Sequence, residues 1–530
     1  MKIRLPDSYI VYGEKDQRID VSKSSDVRLE LRLENDVLTP CIEANETPLC
    51  YMVLRWMFRE DERRRESVRI LGDYWERAYG DMEWKGIVPE RCMPWYCLVS
   101  NGSDSDLCAE GRHTECFGVK VRPSSLAFWQ YDDGGVTLTL DIRCGGRGVI
   151  LGGRTLNMAE VIFADYRNVS AYQSGKLFCR EMCSDPIFPK EPLYGFNNWY
   201  YAYGVSSAEE IKRDAAKLAE CAKGLSTRPF MVIDDCWQPN RCDGPWDRGN
   251  EKFPDMKKLA EEISEMGVDA GIWLRPLCQC APSDIPNEWR LERNWGSLDP
   301  SRKEVLDYVK LQFARLVEWG YKLIKFDFVT YDLNGKWGRM CPTFLFEGDW
   351  SFYDRSRTSA EIILDLYRAI REGAGDALLI GCNAISHLCA GLVEINRIGN
   401  DTSGRWWNIT RRLGVNTLAF RSMQNGTFYV GDADCVGLTD YLPWDMNRKW
   451  MYLLARSGSP MLISWDPVMD TEEIRAEVCE ALRVNSIQKD ELFPVDWMEN
   501  NCPRVWSLNG EIIEFDWFGP HTNEMIERKY

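Results

Sequence analysis

The sequence predicts an α/β protein in which a (β/α)8 TIM barrel follows an N-terminal antiparallel β-sandwich and precedes a small C-terminal β region. Three observations lead to this prediction. Polar and apolar residues alternate over residues 1–188, short apolar runs and amphipathic segments take turns over residues 189–470, and alternation returns over residues 471–530. We therefore expect three domains with these boundaries.

The N-terminal region has the two-residue period that is typical of half-buried strands. The runs VRLELRLEND and GVTLTLDIR alternate in this way, and turn residues separate such runs, as at Asp132–Gly135. The stretch DPIFPKEPLYG (Asp185–Gly195) then contains several prolines, each of which fixes φ and removes a backbone donor. We predict a linker there and a domain boundary near residue 188.

Beyond the linker, apolar runs of strand length are separated by longer amphipathic stretches. The eight runs are Leu193–Trp199, Pro229–Ile233, Val268–Trp273, Leu323–Phe326, Leu378–Cys382, Val393–Ile398, Gly426–Val430 and Pro460–Ser464. Strands that alternate with helices predict parallel βα units, and eight such units favour closure into a barrel. A doubly wound open sheet is the alternative, but the sequence lacks the Gly-rich phosphate loop that such sheets commonly carry.

Several crossovers carry clear helix signals. The segments are SSAEEIKRDAAKLAECAKG, DMKKLAEEISEMG and SRKEVLDYVKLQFARLVEWG. The first and third open with serine, a favoured N-cap, and all end at glycine, which readily adopts the left-handed conformation that terminates helices. After residue 470 the runs RVWSLNG and EIIEFDW predict the small C-terminal β region.

Composition argues against several classes of partner. A formal net charge of −17 repels a phosphate backbone, and no Lys/Arg stripe offsets it, so we expect no nucleic acid partner. No apolar run reaches the roughly 18 residues of a membrane span, and the N-terminus lacks a signal-like apolar core, which predicts a cytoplasmic protein without membrane contact. The 20 cysteines lack repeated paired spacing, so we expect reduced thiols.

The sequence offers no convincing metal or cofactor motif. Cys278 and Cys280 supply only half of the ligands of a zinc site, and the histidines His113, His387 and His521 lie far apart in the chain. We expect neither a metal nor a cofactor.

Acidic residues follow four of the predicted strands, where a β/α barrel carries its catalytic groups. Asp234 and Asp235 follow the second strand, Asp327 the fourth, Asp401 the sixth, and Asp432 and Asp434 the seventh. Carboxylates that converge without a metal motif suit acid–base and nucleophilic chemistry on neutral polyols. Glycoside hydrolysis requires two of them, about 5–5.5 Å apart when one attacks the sugar and about 6.5–9.5 Å apart when it activates water.

Asp327 is the strongest candidate for a nucleophile on sequence grounds alone. Lys325 lies two residues earlier, on the same face of the strand. A cation there is expected to keep Asp327 ionised, as a nucleophile requires.

Several ordered motifs resemble the melibiase-type α-galactosidases of glycoside hydrolase families 36 and 27. The motifs are YGFNNWYYAYG (Tyr194–Gly204), VIDDCWQ (Val232–Gln238), KFPDMKKLAEEISEMGVDAGIW (Lys252–Trp273), IKFD (Ile324–Asp327) and RIGND (Arg397–Asp401). The resemblance covers residues 190–465. Because family 27 chains begin with the barrel, the N-terminal β domain favours a family 36-like member.

The resemblance implies specific roles for the acids. Asp327 matches the family nucleophile, which forms a β-linked glycosyl-enzyme. Asp401 matches the general acid/base, and Arg397 matches an arginine that contacts the sugar near O2. The implied activity is that of a retaining exo-α-galactosidase acting on a small oligosaccharide or glycoside. Relatives are often oligomeric, so a homo-oligomer stays open.

The resemblance also implies a set of sugar contacts. Asp234 and Asp235 match paired acids that hold the O4 and O6 hydroxyls, and Lys325 matches a lysine near O3 and O4. Trp199 matches a tryptophan that packs against the sugar. Asp434 resembles a further acid behind the site, where it either contacts the sugar or supports its neighbours.

Two departures from the family pattern put the substrate in question. Family 36 chains usually carry a Cys-x-x-Gly-Gly-Gly-Arg loop after strand five, facing the 2-substituent, whereas this chain reads GCNAIS (Gly381–Ser386). Cys382 and Asn383 are therefore candidate contacts, and the small Ala384 and Ser386 could leave room for an N-acetyl group.

The second departure is WLRPL (Trp273–Leu277), which replaces the acidic ending usual after strand three. It places Trp273 and Arg275 near the site. Arg275 either reads an acidic or extended substrate or pairs with Asp327 or a neighbouring acid. The alternatives to an α-galactosidase are thus an α-N-acetylgalactosaminidase, a raffinose-synthase-like transglycosylase, or a carbohydrate-binding barrel without catalysis.

Overall fold

A computed structural model of the chain describes residues 2–60, 62, 68–102, 109–278, 285–291, 293, 296–488 and 490–518. Cys280 and His521, named above as metal-ligand candidates, and the last part of the predicted C-terminal region lie outside these residues. The described part is mixed α/β and contains one parallel sheet and three antiparallel sheets. None of its helices combines the length and apolar character that a membrane crossing requires.

The N-terminal region contains two antiparallel sheets and one long helix. Its elements are β1 (Ser8–Gly13), β2 (Arg18–Ile19), β3 (Arg28–Glu34), β4 (Val37–Glu43), β5 (Leu49–Met57), β6 (Arg69–Gly72), β7 (Met93–Pro94), β8 (Tyr96–Ser100), β9 (His113–Val119), β10 (Leu126–Asp132), β11 (Gly135–Asp141), β12 (Thr155–Asn157), β13 (Val161–Arg167) and α1 (Ala171–Met182). One sheet has the order β2-β1-β5-β11-β10-β7, and the other has β12-β4-β13-β9-β8-β6 with β3 against β4. Buried aromatic rings join the sheets: Trp56 of β5 meets Phe163 of β13 at 5.1 Å.

Nine parallel strands form the central sheet. They are β14 (Tyr194–Asn197), β15 (Phe230–Ile233), β16 (Asp269–Leu274), β17 (Leu323–Phe326), β18 (Leu378–Gly381), β19 (Ile395–Arg397), β20 (Val430–Asp432), β21 (Val436–Leu438) and β22 (Met461–Trp465). Their order is β20-β19-β18-β17-β16-β15-β14-β22-β21. From β14 to β20 each strand lies beside the next one in the chain, whereas β22 lies between β14 and β21. Only Ala433–Cys435 separates the two edge strands, β20 and β21, along the chain.

Helices connect these strands, and a small sheet follows them. The helices are α2 (Trp199–Ala202), α3 (Ala208–Cys221), α4 (Met256–Glu265), α5 (Lys303–Glu318), α6 (Val329–Asn334), α7 (Ser359–Ala374), α8 (Ser386–Cys389), α9 (Trp407–Ile409), α10 (Thr417–Phe420), α11 (Trp444–Arg456) and α12 (Glu472–Ser486). The C-terminal sheet consists of β23 (Leu492–Pro494), β24 (Val505–Leu508) and β25 (Glu511–Glu514).

The helix signals hold with one exception. Ser207 caps α3 by accepting a hydrogen bond from the Glu210 backbone N–H at 3.4 Å, as predicted. Ser301 does not cap α5, which begins after Arg302. The Ser301 hydroxyl instead accepts from the Asp354 N–H at 3.1 Å, so a contact with a distant loop takes the place of the local cap.

Two predicted strand bounds were wrong for local reasons. The first strand ends at Asn197, whose side-chain oxygen accepts from the Trp199 N–H at 2.9 Å and turns the chain into α2. The seventh was predicted at 426–430, but β20 begins at Val430. Thr427 bonds back to the Met423 carbonyl at 2.9 Å, which holds the apolar residues before Val430 in a turn.

Residues 73–79 of the N-terminal region, which we call the strap, lie across the parallel sheet. The Ala78 N–H donates to the Ile398 carbonyl at 2.9 Å, and the Asn400 N–H donates to the Ala78 carbonyl at 3.0 Å. Arg421 anchors the strap through Asp73 Oδ1 at 2.7 Å and the Glu76 carbonyl at 2.5 Å. The strap therefore binds directly to the chain between β19 and Asp401.

Replacing Arg421 with methionine is expected to destabilise the protein by about 3–5 kcal/mol, because the buried Asp73 would lose its ion-pair partner. Both side chains are almost fully buried, at 0% and 2% exposed. The midpoint of urea unfolding measures the effect. Lys303→Met, which breaks the exposed Lys303–Asp307 pair, is the control and should leave the midpoint nearly unchanged.

Candidate active site

A cavity of about 270 Å³ opens at the carboxyl ends of the parallel strands. It is lined by Arg77, Tyr79, Tyr200, Tyr203, Asp327, Phe328, Trp337, Arg339, Asn400, Asp401 and Ser403. Both candidate catalytic acids thus line one hollow, and two strap residues contribute to its wall. The carboxyl ends of parallel strands are where such a site is expected.

Asp327 follows β17 directly and is held by two donors. Its Oδ1 accepts from the Phe328 N–H at 2.7 Å, and its Oδ2 accepts from the Trp273 indole at 3.3 Å. Phe328 has a φ of 64°, which is unusual for a bulky residue, so the chain bends sharply just after the carboxylate. Trp273 therefore supports Asp327 from the buried side.

Asp401 faces the cavity with 46% of its side chain exposed. Arg397 Nη2 lies 3.1 Å from its Oδ1, and Arg77 Nη1 lies 3.7 Å from the same oxygen. Burial raises the pKa of this carboxyl, but the guanidinium groups of Arg397 and Arg77 outweigh burial and hold the pKa below its usual value. Asp401 thus has cations on two sides.

Arg397 ends β19 and links Asp401 to Asp434. Its Nη1 lies 3.2 Å from Asp434 Oδ1. Asp434 also accepts from the Thr402 N–H at 2.7 Å and from the Tyr200 hydroxyl. Of the two roles left open for Asp434, its contacts match support of Arg397 and Thr402 behind the cavity.

Lys325 pairs with a different acid from the one expected. Its Nζ lies 2.8 Å from Asp234 Oδ2, which also accepts from the Asn197 amide at 2.7 Å. The structure thus pairs Lys325 with Asp234, and the expected effect of Lys325 on Asp327 stays a prediction. Asp234 follows β15, which β16 separates from β17, so this pair joins residues of two strands that are not adjacent in the sheet.

Asp235 is occupied by the loop that follows it. Its Oδ1 accepts from the Cys236 N–H and the Gln238 amide, both at 2.7 Å, and its Oδ2 lies 2.7 Å from Cys242 Sγ. In this state the carboxylate orders residues 236–242. Asp234 and Asp235 thus follow the same strand but have different surroundings.

Arg275 pairs with a neighbouring acid, one of the roles left open for it. Its Nε donates to both oxygens of Asp332 at 3.0 Å, and its guanidinium stacks over Phe328 at 4.3 Å. Burial raises the pKa of Asp332 to about 6, a rise that Arg275 opposes. Arg275 therefore supports the bend after Asp327.

The remaining sequence candidates lie beside the cavity rather than among its lining residues. Cys382 Sγ lies 3.5 Å from nitrogens of both Arg77 and Arg397. Asn383 donates to Glu76 and accepts from the Tyr331 N–H at 3.0 Å. Trp199 packs against Tyr203, which does line the cavity, with the ring centroids 5.5 Å apart.

Sequence reasoning missed the strap entirely. Arg77 and Tyr79 lie more than 240 residues from Asp327 in the chain, in a region that showed only strand periodicity. Tyr200 and Tyr203, by contrast, fall within the motif YGFNNWYYAYG, and Asn400 and Ser403 flank Asp401. Inspection of the residues within and beside each motif would have found these four, whereas no motif in the sequence around Arg77 indicates a site residue.

One cluster in the described residues has the composition of a metal site, but it lies elsewhere. His113, Glu115 and Asp165 belong to β9 and β13 of the N-terminal region. His113 Nε2 lies 2.8 Å from Asp165 Oδ1.

Comparison with solved structures defines the fold. TtGalA, an α-galactosidase from Thermus thermophilus in complex with p-nitrophenyl α-D-galactopyranoside, matches with a TM-score of 0.60 at 16% identity, over 93% of this chain and 99% of that one. The family 36 α-galactosidase AgaA from Geobacillus stearothermophilus matches with a TM-score of 0.63 at 13% identity, over 96% and 79%. This chain has the fold of the family 36 α-galactosidases. The expected resemblance is thereby confirmed at the level of structure.

Sequence comparison matches a much shorter part of the chain, to a relative of the same family. The curated α-galactosidase AgaA from Geobacillus stearothermophilus is 31% identical over a stretch that covers 21% of this chain and only 17% of the relative's length. No protein-family model matches the chain. The α-galactosidase from Lactobacillus brevis agrees in fold, with a TM-score of 0.63 at 13% identity. The structural neighbours are thus glycoside hydrolases.

Proposed function

We propose that this protein is a retaining exo-α-galactosidase in which Asp327 is the nucleophile and Asp401 is the general acid/base. The observation that carries the proposal is the pair of carboxylates that line one cavity at the carboxyl ends of the parallel strands. Its volume of about 270 Å³ lies below that of typical sites for larger ligands and suits a single terminal sugar. The fold of the family 36 α-galactosidases supports the same assignment.

The first step forms a covalent glycosyl-enzyme. An Asp327 oxygen attacks the anomeric carbon from the face opposite the leaving group, and the Asp401 carboxylic acid gives its proton to the departing oxygen. The Phe328 N–H and the Trp273 indole hold the attacking carboxylate in place. Orientation by fixed donors lowers the cost of reaching the attacking geometry.

The second step uses Asp401 as a base. The Asp401 carboxylate takes a proton from water, which attacks the anomeric carbon and releases Asp327, so the product has the configuration of the substrate. Formation of the glycosyl ester removes the charge of Asp327. Because a nearby negative charge disfavours ionisation, its loss favours the carboxylate form of Asp401 when the base is needed.

The sugar contacts follow the resemblance and the geometry together. We assign Asp234 and Lys325 to hydroxyls of the galactose ring, because the two are paired at 2.8 Å and Lys325 lies on β17, the strand that Asp327 follows. Arg397 is assigned to the hydroxyl nearest Asp401. Asp235 would contact a sugar hydroxyl only if that hydroxyl replaced one of its hydrogen-bond donors in residues 236–242. Two solved relatives hold α-galactosyl ligands, stachyose in TtGalA and raffinose in AgaA.

We further propose that the nine parallel strands form a (β/α)8 barrel. Strands β20 and β21 then count as one seventh strand, interrupted at Ala433–Cys435, which pairs with β19 on one side and β22 on the other. The two N-terminal sheets are assigned as a β-sandwich. The domain boundaries near 188 and 470 remain those predicted from the sequence.

The anomer released first tests the proposal. Wild-type enzyme with p-nitrophenyl α-galactoside, followed by proton NMR, is expected to release α-galactose before mutarotation. Release of β-galactose would contradict the double displacement. The Asp327→Ala variant is the control for contaminating activity.

A panel of aryl glycosides tests the sugar. We expect turnover of the α-galactoside and little turnover of the α-N-acetylgalactosaminide, because Ala384 and Ser386 are buried and are not among the described residues that line the cavity. Faster turnover of the N-acetyl substrate would reassign the activity. Transfer to a sugar acceptor in place of water would reveal a transglycosylase.

A further inference from the structure

Arg77 is carried into the candidate active site by the strap, a part of the N-terminal region. Its side chain is only 4% exposed. Besides lying 3.7 Å from Asp401 Oδ1, its Nη1 lies 3.5 Å from Cys382 Sγ, and its guanidinium stacks over Trp337 at 5.3 Å. A cation from outside the parallel sheet thus lies beside the candidate proton donor.

The neighbours of Arg77 fix its position. Ala78 pairs with the backbone on either side of Gly399, two residues before Asp401. Glu76 accepts from the Gly338 N–H at 2.7 Å and from the Asn383 amide. The strap therefore joins segments that follow β17, β18 and β19, and Arg77 has little freedom to withdraw.

The burial of Arg77 is not explained by stability. Its Nε is buried and has no hydrogen-bond partner in the described structure. Burial of a cation with an unmade hydrogen bond costs stability, and proteins accept such a cost at functional sites.

We propose that Arg77 is a positioning residue that, together with Arg397, orients the Asp401 carboxyl group and controls its proton transfer to the leaving group. The inference rests on the proposed function of Asp401. Arg397 belongs to the same chain segment as Asp401, whereas Arg77 approaches from the strap, so the carboxyl group is held from two independent directions.

The charges around Asp401 indicate what Arg77 contributes. The charged and titratable groups that face Asp401 or share its cavity are Arg77, Tyr79, Tyr200, Tyr203, Lys325, Asp327, Arg339, Cys382, Arg397 and Asp434. Arg397 and then Arg77 are the largest influences that lower the pKa of Asp401, with Lys325 third. Because Arg77 Nη1 lies only 3.7 Å from Asp401 Oδ1, loss of its charge should change the pH dependence of the reaction measurably.

The test compares Arg77→Gln and Arg77→Lys with wild type over a range of pH. For an α-galactoside with a poor leaving group, Arg77→Gln is expected to move the alkaline limb of kcat/KM upward by about one pH unit, because protonated Asp401 persists to higher pH. Arg77→Lys keeps the positive charge, so its alkaline limb should lie within a few tenths of a pH unit of the wild-type limb. Arg448→Gln, which removes an exposed arginine on α11, is the matched control and should leave the profile unchanged.

Leaving groups supply a second readout that a merely structural role would not move. A 2,4-dinitrophenolate departs without protonation, so both variants should lose about tenfold in kcat on phenyl galactoside and little on the dinitrophenyl substrate. Equal losses on both substrates, or an unmoved alkaline limb in Arg77→Gln, would overturn the proposal. If Arg77→Gln does not fold, the leaving-group selectivity of Arg77→Lys decides. An inactive wild type would instead contradict the proposed function itself.

Discussion

Asp327→Ala is expected to lower kcat on aryl α-galactosides by about 10⁴-fold or more, with little change in substrate affinity. The substitution removes the atom that bonds to the anomeric carbon, and no other carboxylate lines the described cavity except Asp401, which is committed to Arg397 and Arg77. Steady-state kinetics with p-nitrophenyl α-galactoside measure the loss. Asp327→Asn is the near-isosteric control and should be equally impaired, because its amide is a poor nucleophile.

Azide distinguishes loss of the nucleophile from loss of structure. In Asp327→Ala, azide can occupy the space of the missing carboxylate and attack the anomeric carbon from the same face, giving β-galactosyl azide. Formation of this product would show an intact site without its nucleophile. Near-normal turnover by a properly folded Asp327→Ala enzyme would refute the assignment.

Asp401→Ala is expected to have an effect that depends on the leaving group. Loss of general acid catalysis should lower turnover of phenyl α-galactoside by roughly 10²- to 10⁴-fold. Formation of the glycosyl-enzyme from a dinitrophenyl galactoside needs no proton and should continue, so the variant should release a burst of dinitrophenolate and then slow. Stopped-flow absorbance detects the burst.

The product with azide separates the role of Asp401 from that of Asp327. Azide needs no general base, so it should rescue the second step in Asp401→Ala and give α-galactosyl azide, the opposite anomer from Asp327→Ala. The same anomer from both variants, or a uniform loss with every leaving group, would contradict the assigned roles.

Much of the fold could be predicted because periodicity is a local property. The strand cores at 230–233 and 323–326 and the helix α3 follow directly from apolar runs, Ser207 and Gly224. The failures came where distant contacts competed with local signals. Ser301 bonds to a loop more than 50 residues away instead of capping α5, and the apolar residues before Val430 close a turn instead of extending a strand.

The candidate site likewise has features that the local sequence predicts and features that depend on distant contacts. Asp327 and Asp401 each follow a predicted strand, and Arg397 lies near the end of one, so their approximate positions come from the strand ends. The ion-pair partners of side chains near the site are set instead by packing between strands, as in the pairs Lys325–Asp234 and Arg275–Asp332. Arg77 had no local signal because its position depends on backbone pairing between Ala78 and residues more than 300 positions later.

The strap also limits how the part of the chain that contains Asp327 and Asp401 can be expressed alone or moved into another protein. A fragment beginning near residue 189 would contain Asp327 and Asp401 but would leave Arg421 buried without Asp73, and Asn383 without Glu76. Gene fusions or chimaeras that exchange the region of the parallel sheet between relatives should therefore move residues 73–79 with it, because these residues supply the buried partners of Arg421 and Asn383.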